Sequence, residues 1–176
     1  FARDVTVWMG KLEVRVSQVG PGQTRGDSIV WLPAQRVRFS GDLVEFDATP
    51  YAGDAYFTDW PRTLDNLAAL QPAKLVPGRG AALVDEAQVA QGLAGTRAFV
   101  SDVYASVQAG AAAGKDLKTV YRETLAAVRP KYGHWVIFDH CMPFDVTRAY
   151  DEATAHRAPR IWTAERDVAM WKALEG

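Results

Sequence analysis

Between residues 4 and 45, apolar positions recur at every second residue. Val5 and Val7 alternate with Asp4 and Thr6, and Leu12, Val14 and Val16 alternate with Glu13, Arg15 and Ser17. A period of two puts each set on one face of a sheet, so these segments predict strands, with a turn at Met9-Gly10-Lys11. The loop Gly20–Asp27 leads into Ser28–Leu32, an almost unbroken apolar run that predicts a strand buried on both faces. Pro33-Ala34-Gln35 turns the chain again, and Val37 and Phe39 alternate with Arg36 and Arg38 before Gly41-Asp42.

Beyond Asp42 the period changes. Thr49–Asp54 has loop composition. Trp60, Leu64 and Leu67 then sit at helical spacing, with Thr58 or Asp59 as N-cap and Pro61 tolerated in the first turn. Lys74-Leu75-Val76 is a short strand that stops at Pro77-Gly78-Arg79-Gly80, which makes an α/β unit. The remainder reads as helical. Val89, Leu93, Val100, Val103, Tyr104 and Val107 form one helix face, and Gly110–Gly114 breaks it. Asp116 caps a helix facing inward through Leu117, Val120, Tyr121, Leu125 and Val128, which Pro130 is expected to end. His134–Phe138 predicts a strand or a buried turn, Pro143 the start of a helix through Ala153, and Thr163 the cap of a last helix.

Composition narrows the class. The 176 residues suffice for one domain with a core; 48% are hydrophobic and 23% charged, which fits a globular chain rather than a disordered one. The formal net charge is -1 and no basic block stands out, so a nucleic-acid partner is not expected. No apolar run approaches the roughly 20 residues of a membrane span. No membrane partner is expected, and the expected location is the cytoplasm. The single cysteine, Cys141, excludes an internal disulfide and a cysteine-rich metal site. Its first expectation is a buried structural thiol; a catalytic thiol paired with His140 or His134 is the alternative.

Asp42 raises the question of chemistry. Aspartate disfavours strand interiors, so at a hairpin end it is a turn residue or a site residue. Gly22, Gly26 and Asp27 read first as a loop that needs glycine conformations, and second as a pocket wall. The aromatics of Tyr51–Trp60 read first as core and second as an apolar pocket. His134, Asp139, His140, Cys141 and Asp145 form the densest ligand-bearing stretch outside the hairpin, although a spacing of six between the histidines is no standard zinc spacing.

Several segments taken in order resemble the later part of the metallo-β-lactamase superfamily. Gly22-Gln23-Thr24-Arg25-Gly26-Asp27 is similar to that family's "GHTxGD" loop. Phe39-Ser40-Gly41-Asp42 is similar to "FxGD", and Lys74–Gly80 to "xxVPGHG". The resemblance spans residues 3–83. It implies an α/β (α+β) fold, part of an αββα sandwich of two stacked sheets between helices. Residues 1–83 would then form the C-terminal half of such a domain, and residues 84–176 a helical extension packed on it in the same globular unit.

The resemblance also implies a hydrolase acting on a small molecule, with zinc lowering the pKa of a bound water. Asp42 takes the position of the catalytic, metal-bridging carboxylate. Three departures follow. The family's "HxHxDH" is absent, and the histidines present are His134, His140 and His156. Gln23 stands where the loop histidine is expected. Arg79 stands where the final histidine is expected, and a guanidinium cannot coordinate a cation. Gln23 and Arg79 are therefore altered site positions, and His134 and His140 possible substitute contributors. A planar guanidinium at Arg79 could instead bind Asp42 through two bonds. The resemblance thus leaves two expectations: a hydrolase whose metal site is incomplete in this chain, or a non-catalytic binding or assembly module that kept the scaffold. Half of a two-sheet fold would also leave one sheet face open. A homodimer or a missing N-terminal half is the expected cover.

Overall fold

The computed structural model describes residues 4–175; residues 1–3 and 176, including the start of the 1–83 and 3–83 segments, lie outside the described residues. Five strands form one sheet in chain order: β1 (Asp4–Met9), β2 (Leu12–Gln18), β3 (Ser28–Leu32), β4 (Val37–Gly41) and β5 (Lys74–Pro77). The first four are joined antiparallel, and β5 returns parallel to β4 after α1 (Trp60–Ala68). Four helices follow: α2 (Glu86–Ala112), α3 (Leu117–Tyr132), α4 (Phe138–Thr154) and α5 (Ala164–Glu175). The protein is therefore a mixed α/β fold. Among the described residues no helix is long and apolar enough to cross a membrane.

Register decides which face each residue shows. Val5 lies opposite Val16, Val16 opposite Val30, Val30 opposite Phe39, and Phe39 opposite Val76. Val7 and Val14, Met9 and Leu12, and Leu32 and Val37 extend this apolar face, whose one charged member is Lys74, paired with Val37. Val5, Val7, Met9 and Phe39 on this face are exposed. The opposite face of β1 and β2 carries Asp4, Thr6, Glu13, Arg15 and Ser17, with Trp8 as its one large apolar side chain. In an antiparallel sheet the apolar side is the side built for burial. The face that asks to be covered is thus the open one.

The core lies on the other side of β3–β5. Ile29, Leu43, Trp60, Leu64, Leu67 and Leu75 join Phe99, Val100, Val103, Val120, Phe138 and Met142 in one buried cluster. Asp85 and Asp116 each cap a helix, accepting from the backbone N–H of Gln88 at 2.8 Å and of Thr119 at 2.8 Å.

Three expectations from the sequence change. In β3 only Ile29 is buried, so this strand is not enclosed on both faces; its Val30 side belongs to the open face. Helix α3 passes Pro130 and ends at Tyr132. Tyr132 is buried edge-on against Phe99 and its hydroxyl donates to Asp102 at 2.7 Å, which holds the last turn. Helix α4 starts at Phe138, before Pro143. Val136 bridges to Ala48, Ile137 turns the chain with φ of 59°, and burial of Phe138, Cys141 and Met142 favours helix from there.

Trp60 fixes the end of the β4 hairpin. It is fully buried and donates its indole N–H to the Leu43 carbonyl at 3.1 Å. Trp60→Ala is expected to destabilise the fold by about 3–5 kcal/mol, measured by chemical denaturation.

Candidate active site

The turn after β4 brings two carboxylates to one side. The Val44 N–H donates to the Gly41 carbonyl at 3.4 Å, which folds Asp42 and Glu45 toward the loop after β5. That loop is tied to the same segment: the Gly78 N–H donates to the Val44 carbonyl at 3.0 Å, and the Phe46 N–H to the Arg79 carbonyl at 3.1 Å. The approach is close enough that a Cβ at Gly78 would collide with Asp42, and one at Gly80 with the Phe46 carbonyl. Gly80 also holds φ at +93°, in the region that glycine favours.

Arg79 lies between the carboxylates. Its Nη1 donates to Glu45 Oε1 at 2.6 Å and stands 3.6 Å from Asp42 Oδ2. The expected partner, Asp42, is therefore beside Arg79, but Glu45 holds it more tightly, and one nitrogen serves both acids in place of a two-bond fork with one. Glu45 is only 1% exposed, whereas the Asp42 side chain is 40% exposed. From behind, α2 grips the Glu45 backbone. Thr96 Oγ1 accepts from the Glu45 N–H at 3.1 Å and donates to its carbonyl at 3.0 Å. Sequence reasoning missed Glu45. The one available signal was its place three residues after Asp42 in an otherwise apolar segment.

The electrostatics follow from burial. Desolvation pushes the Glu45 carboxyl from its ordinary 4.5 up to about 7; Arg79 pulls it down and Asp42 pushes it up. Burial disfavours the charge on Arg79, but Glu45 and Asp42 together outweigh it, and the guanidinium is held above its ordinary range.

The other sequence candidates are more scattered. Gln23 is part of the loop that packs over Leu43 and Trp60 through Gly22, and its side chain makes no hydrogen bond among the described residues. Asp27 closes that loop, accepting from the Thr24 N–H at 3.0 Å, which supports the structural role. His134 and His140 are exposed and rest near aromatic rings, His134 with Trp135 at 6.4 Å and His140 with Phe144 at 6.0 Å. Phe57 and Trp60 from the aromatic segment are core. Cys141 is buried, and its thiol lies 3.9 Å from the Thr49 carbonyl. Burial, reinforced by Asp145, pushes that thiol up to about 12, which is unfit for a nucleophile. Asp145 is fully buried and accepts from the Ala52 N–H at 2.6 Å; burial holds its carboxyl well above the usual range.

The donor set does not suit a metal ion. Among the described residues no group of three or more His, Cys, Asp or Glu side chains could hold one. A guanidinium already stands between the two nearest carboxylates.

Two outcomes follow. A raised folded pKa means that the folded state holds the Glu45 proton more tightly than the unfolded chain. The stability carried by this group is full below pH 4.5 and falls as pH rises through about 7. Glu45→Gln is expected to flatten the slope of Tm against pH in that window, measured by thermal melts. Cys141 is expected to resist alkylation in the native protein at pH 7 and to react on unfolding; rapid native alkylation would revive the catalytic thiol.

No family model matches the chain. It is 32% identical over 60 residues to a type 2 metallo-β-lactamase of Pseudomonas aeruginosa, over 34% of this chain and 24% of that protein. It is 31% identical over 85 residues to a type 2 metallo-β-lactamase of Bacteroides fragilis, over 46% of this chain and 34% of that one. The solved metallo-β-lactamase from Pontibacter korlensis superposes with a TM-score of 0.50 at 27% identity, covering 57% of this chain and 47% of that one. The chain thus spans about a quarter to a third of the length of the curated relatives it matches. Curated relatives and solved structure point the same way: the chain is related to the metallo-β-lactamase-fold proteins, at low identity and over part of their length.

Proposed function

We propose that this chain carries one wall of the active site of a hydrolase-like protein of the metallo-β-lactamase fold, and that residues outside the chain complete it. The observation behind this reading is the position of Asp42. It ends β4, facing the glycine turn that ends β5, with Glu45 and Arg79 beside it. Open α/β sheets place their ligands outside the carboxyl ends of strands, and both strands end here. The open apolar sheet face supports the same reading, because a second layer has to cover it.

In this reading the substrate is a small molecule with a carbonyl or phosphoryl centre. Zinc, where the complete protein has it, would supply an activated water. The side chains of this chain do not form that centre, so their work is to shape the wall: Asp42 presents a carboxylate, Arg79 a fixed cation, and Glu45 holds Arg79 in place. The covering layer is further polypeptide, and a second copy of this chain is the other outcome to test. Sedimentation of the isolated chain separates them: a stable dimer identifies the second copy, and a monomer that binds an apolar dye identifies missing polypeptide.

The ion pair favours a second reading, a non-catalytic binding or assembly module. A carboxylate already matched by arginine is poorly placed to bridge metals. The test is hydrolysis of ester, thioester and lactam substrates by the natural polypeptide that contains this chain. The hydrolase reading expects turnover that falls at least about 100-fold in Asp42→Ala, the upper end for groups that support a metal site. No turnover on any of the three substrate classes supports the module.

A further inference from the structure

The segment Gly41-Asp42-Leu43-Val44-Glu45 and the turn Gly78-Arg79-Gly80 make an arrangement that a surface ion pair does not need. An exposed pair contributes little and requires no support. Here one partner, Glu45, is buried with its backbone clasped at both ends by Thr96, and the backbone of Arg79 is bonded to that of Phe46. Nη1 touches Glu45 at 2.6 Å and approaches Asp42 at 3.6 Å, so one charged nitrogen stands between the two acids. The second oxygen of Glu45, Oε2, is buried without a partner among the described residues. Glu45 also borders a cavity of about 60 Å³ with Gly92, Gly95 and Trp135. A buried carboxylate oxygen without a partner calls for an explanation.

We propose that Nη1 of Arg79 occupies the position that a divalent cation would take between Asp42 and Glu45, so that the site is built on a covalently attached cation instead of an exchangeable metal. Glu45 is then a positioning residue: it acts on the site by holding Arg79. The arginine cannot be titrated away near neutral pH, so the exclusion is permanent. The proposal takes from the proposed function only the assignment of Asp42 to the site, and it does not require hydrolysis.

The test is zinc and cobalt(II) titration of the full chain, followed by calorimetry, by cobalt absorption bands and by Tm. The unsubstituted chain is expected to show no saturable zinc uptake and no shift in Tm. Arg79→Ala is expected to gain saturable zinc uptake, at least tenfold more zinc bound than the parent at the same zinc concentration, with cobalt bands and a rise in Tm on adding metal. Arg79→Lys, which keeps the charge, is expected to exclude metal like the parent. Asp42→Asn added to Arg79→Ala is expected to abolish the gain. Should Arg79→Ala fail to fold, Arg79→Gln carries the same comparison while retaining most of the side-chain volume. Stoichiometric zinc in the unsubstituted chain, lost in Asp42→Asn, overturns the proposal, and so does an absence of any gain in the folded Arg79 variants. Metal uptake by Arg79→Ala with no hydrolysis in the natural polypeptide would end the hydrolase reading and leave this one standing.

Discussion

The pairing of buried Glu45 with Arg79 is the constraint on which the site depends. A carboxylate removed from water is costly, and Arg79 offsets that cost only in part, because burial still holds the Glu45 carboxyl at about 7. The cation can meet it here because the turns after β4 and β5 are joined by backbone hydrogen bonds. Those bonds need close approach, and close approach needs glycine at positions 78 and 80. On the far side, Thr96 of α2 holds Glu45 through both backbone groups, so the core helix sets the depth of the carboxylate. Asp42 inherits its place from this construction. It is the exposed member of a group whose buried member is fixed from α2 and from the turn after β5.

The same economy of burial explains the sheet. Helices enclose the side of β3–β5 that carries Ile29 and Leu75, while β1 and β2 turn mostly polar side chains, with Trp8 among them, to that side and valines away from it. The amphipathic pattern therefore leaves an apolar face of β1–β4 open among the described residues, the face that the proposed second layer would cover. This fits the coverage of the Pontibacter korlensis structure, of which less than half is matched.

Much of this was legible in the sequence, for local reasons. Period-two alternation marked β1, β2 and β4, and Asp116 with its following apolar face marked α3. Asp42, Gln23 and Arg79 stood out through motif order, and the structure brings Asp42 and Arg79 together while Gln23 only lines the neighbouring loop. What was not legible depended on distant partners. Glu45 looks like any carboxylate beyond a hairpin until Thr96 and Arg79, far along the chain, bury and pair it. The early start of α4 was hidden because Pro143 suggests a first turn, whereas the true start rests on the bridge between Val136 and Ala48 and on the left-handed Ile137. The open side of β3 was hidden because an apolar run cannot say which of its faces is covered.

The central claim is that a guanidinium, rather than a metal, faces Asp42. A crystal of the chain grown with zinc and measured at the zinc absorption edge tests it most directly. The account predicts no anomalous peak beside Asp42, with Arg79 Nη1 lying between Asp42 and Glu45. A zinc peak bonded to Asp42, with the Arg79 side chain swung away, would contradict it.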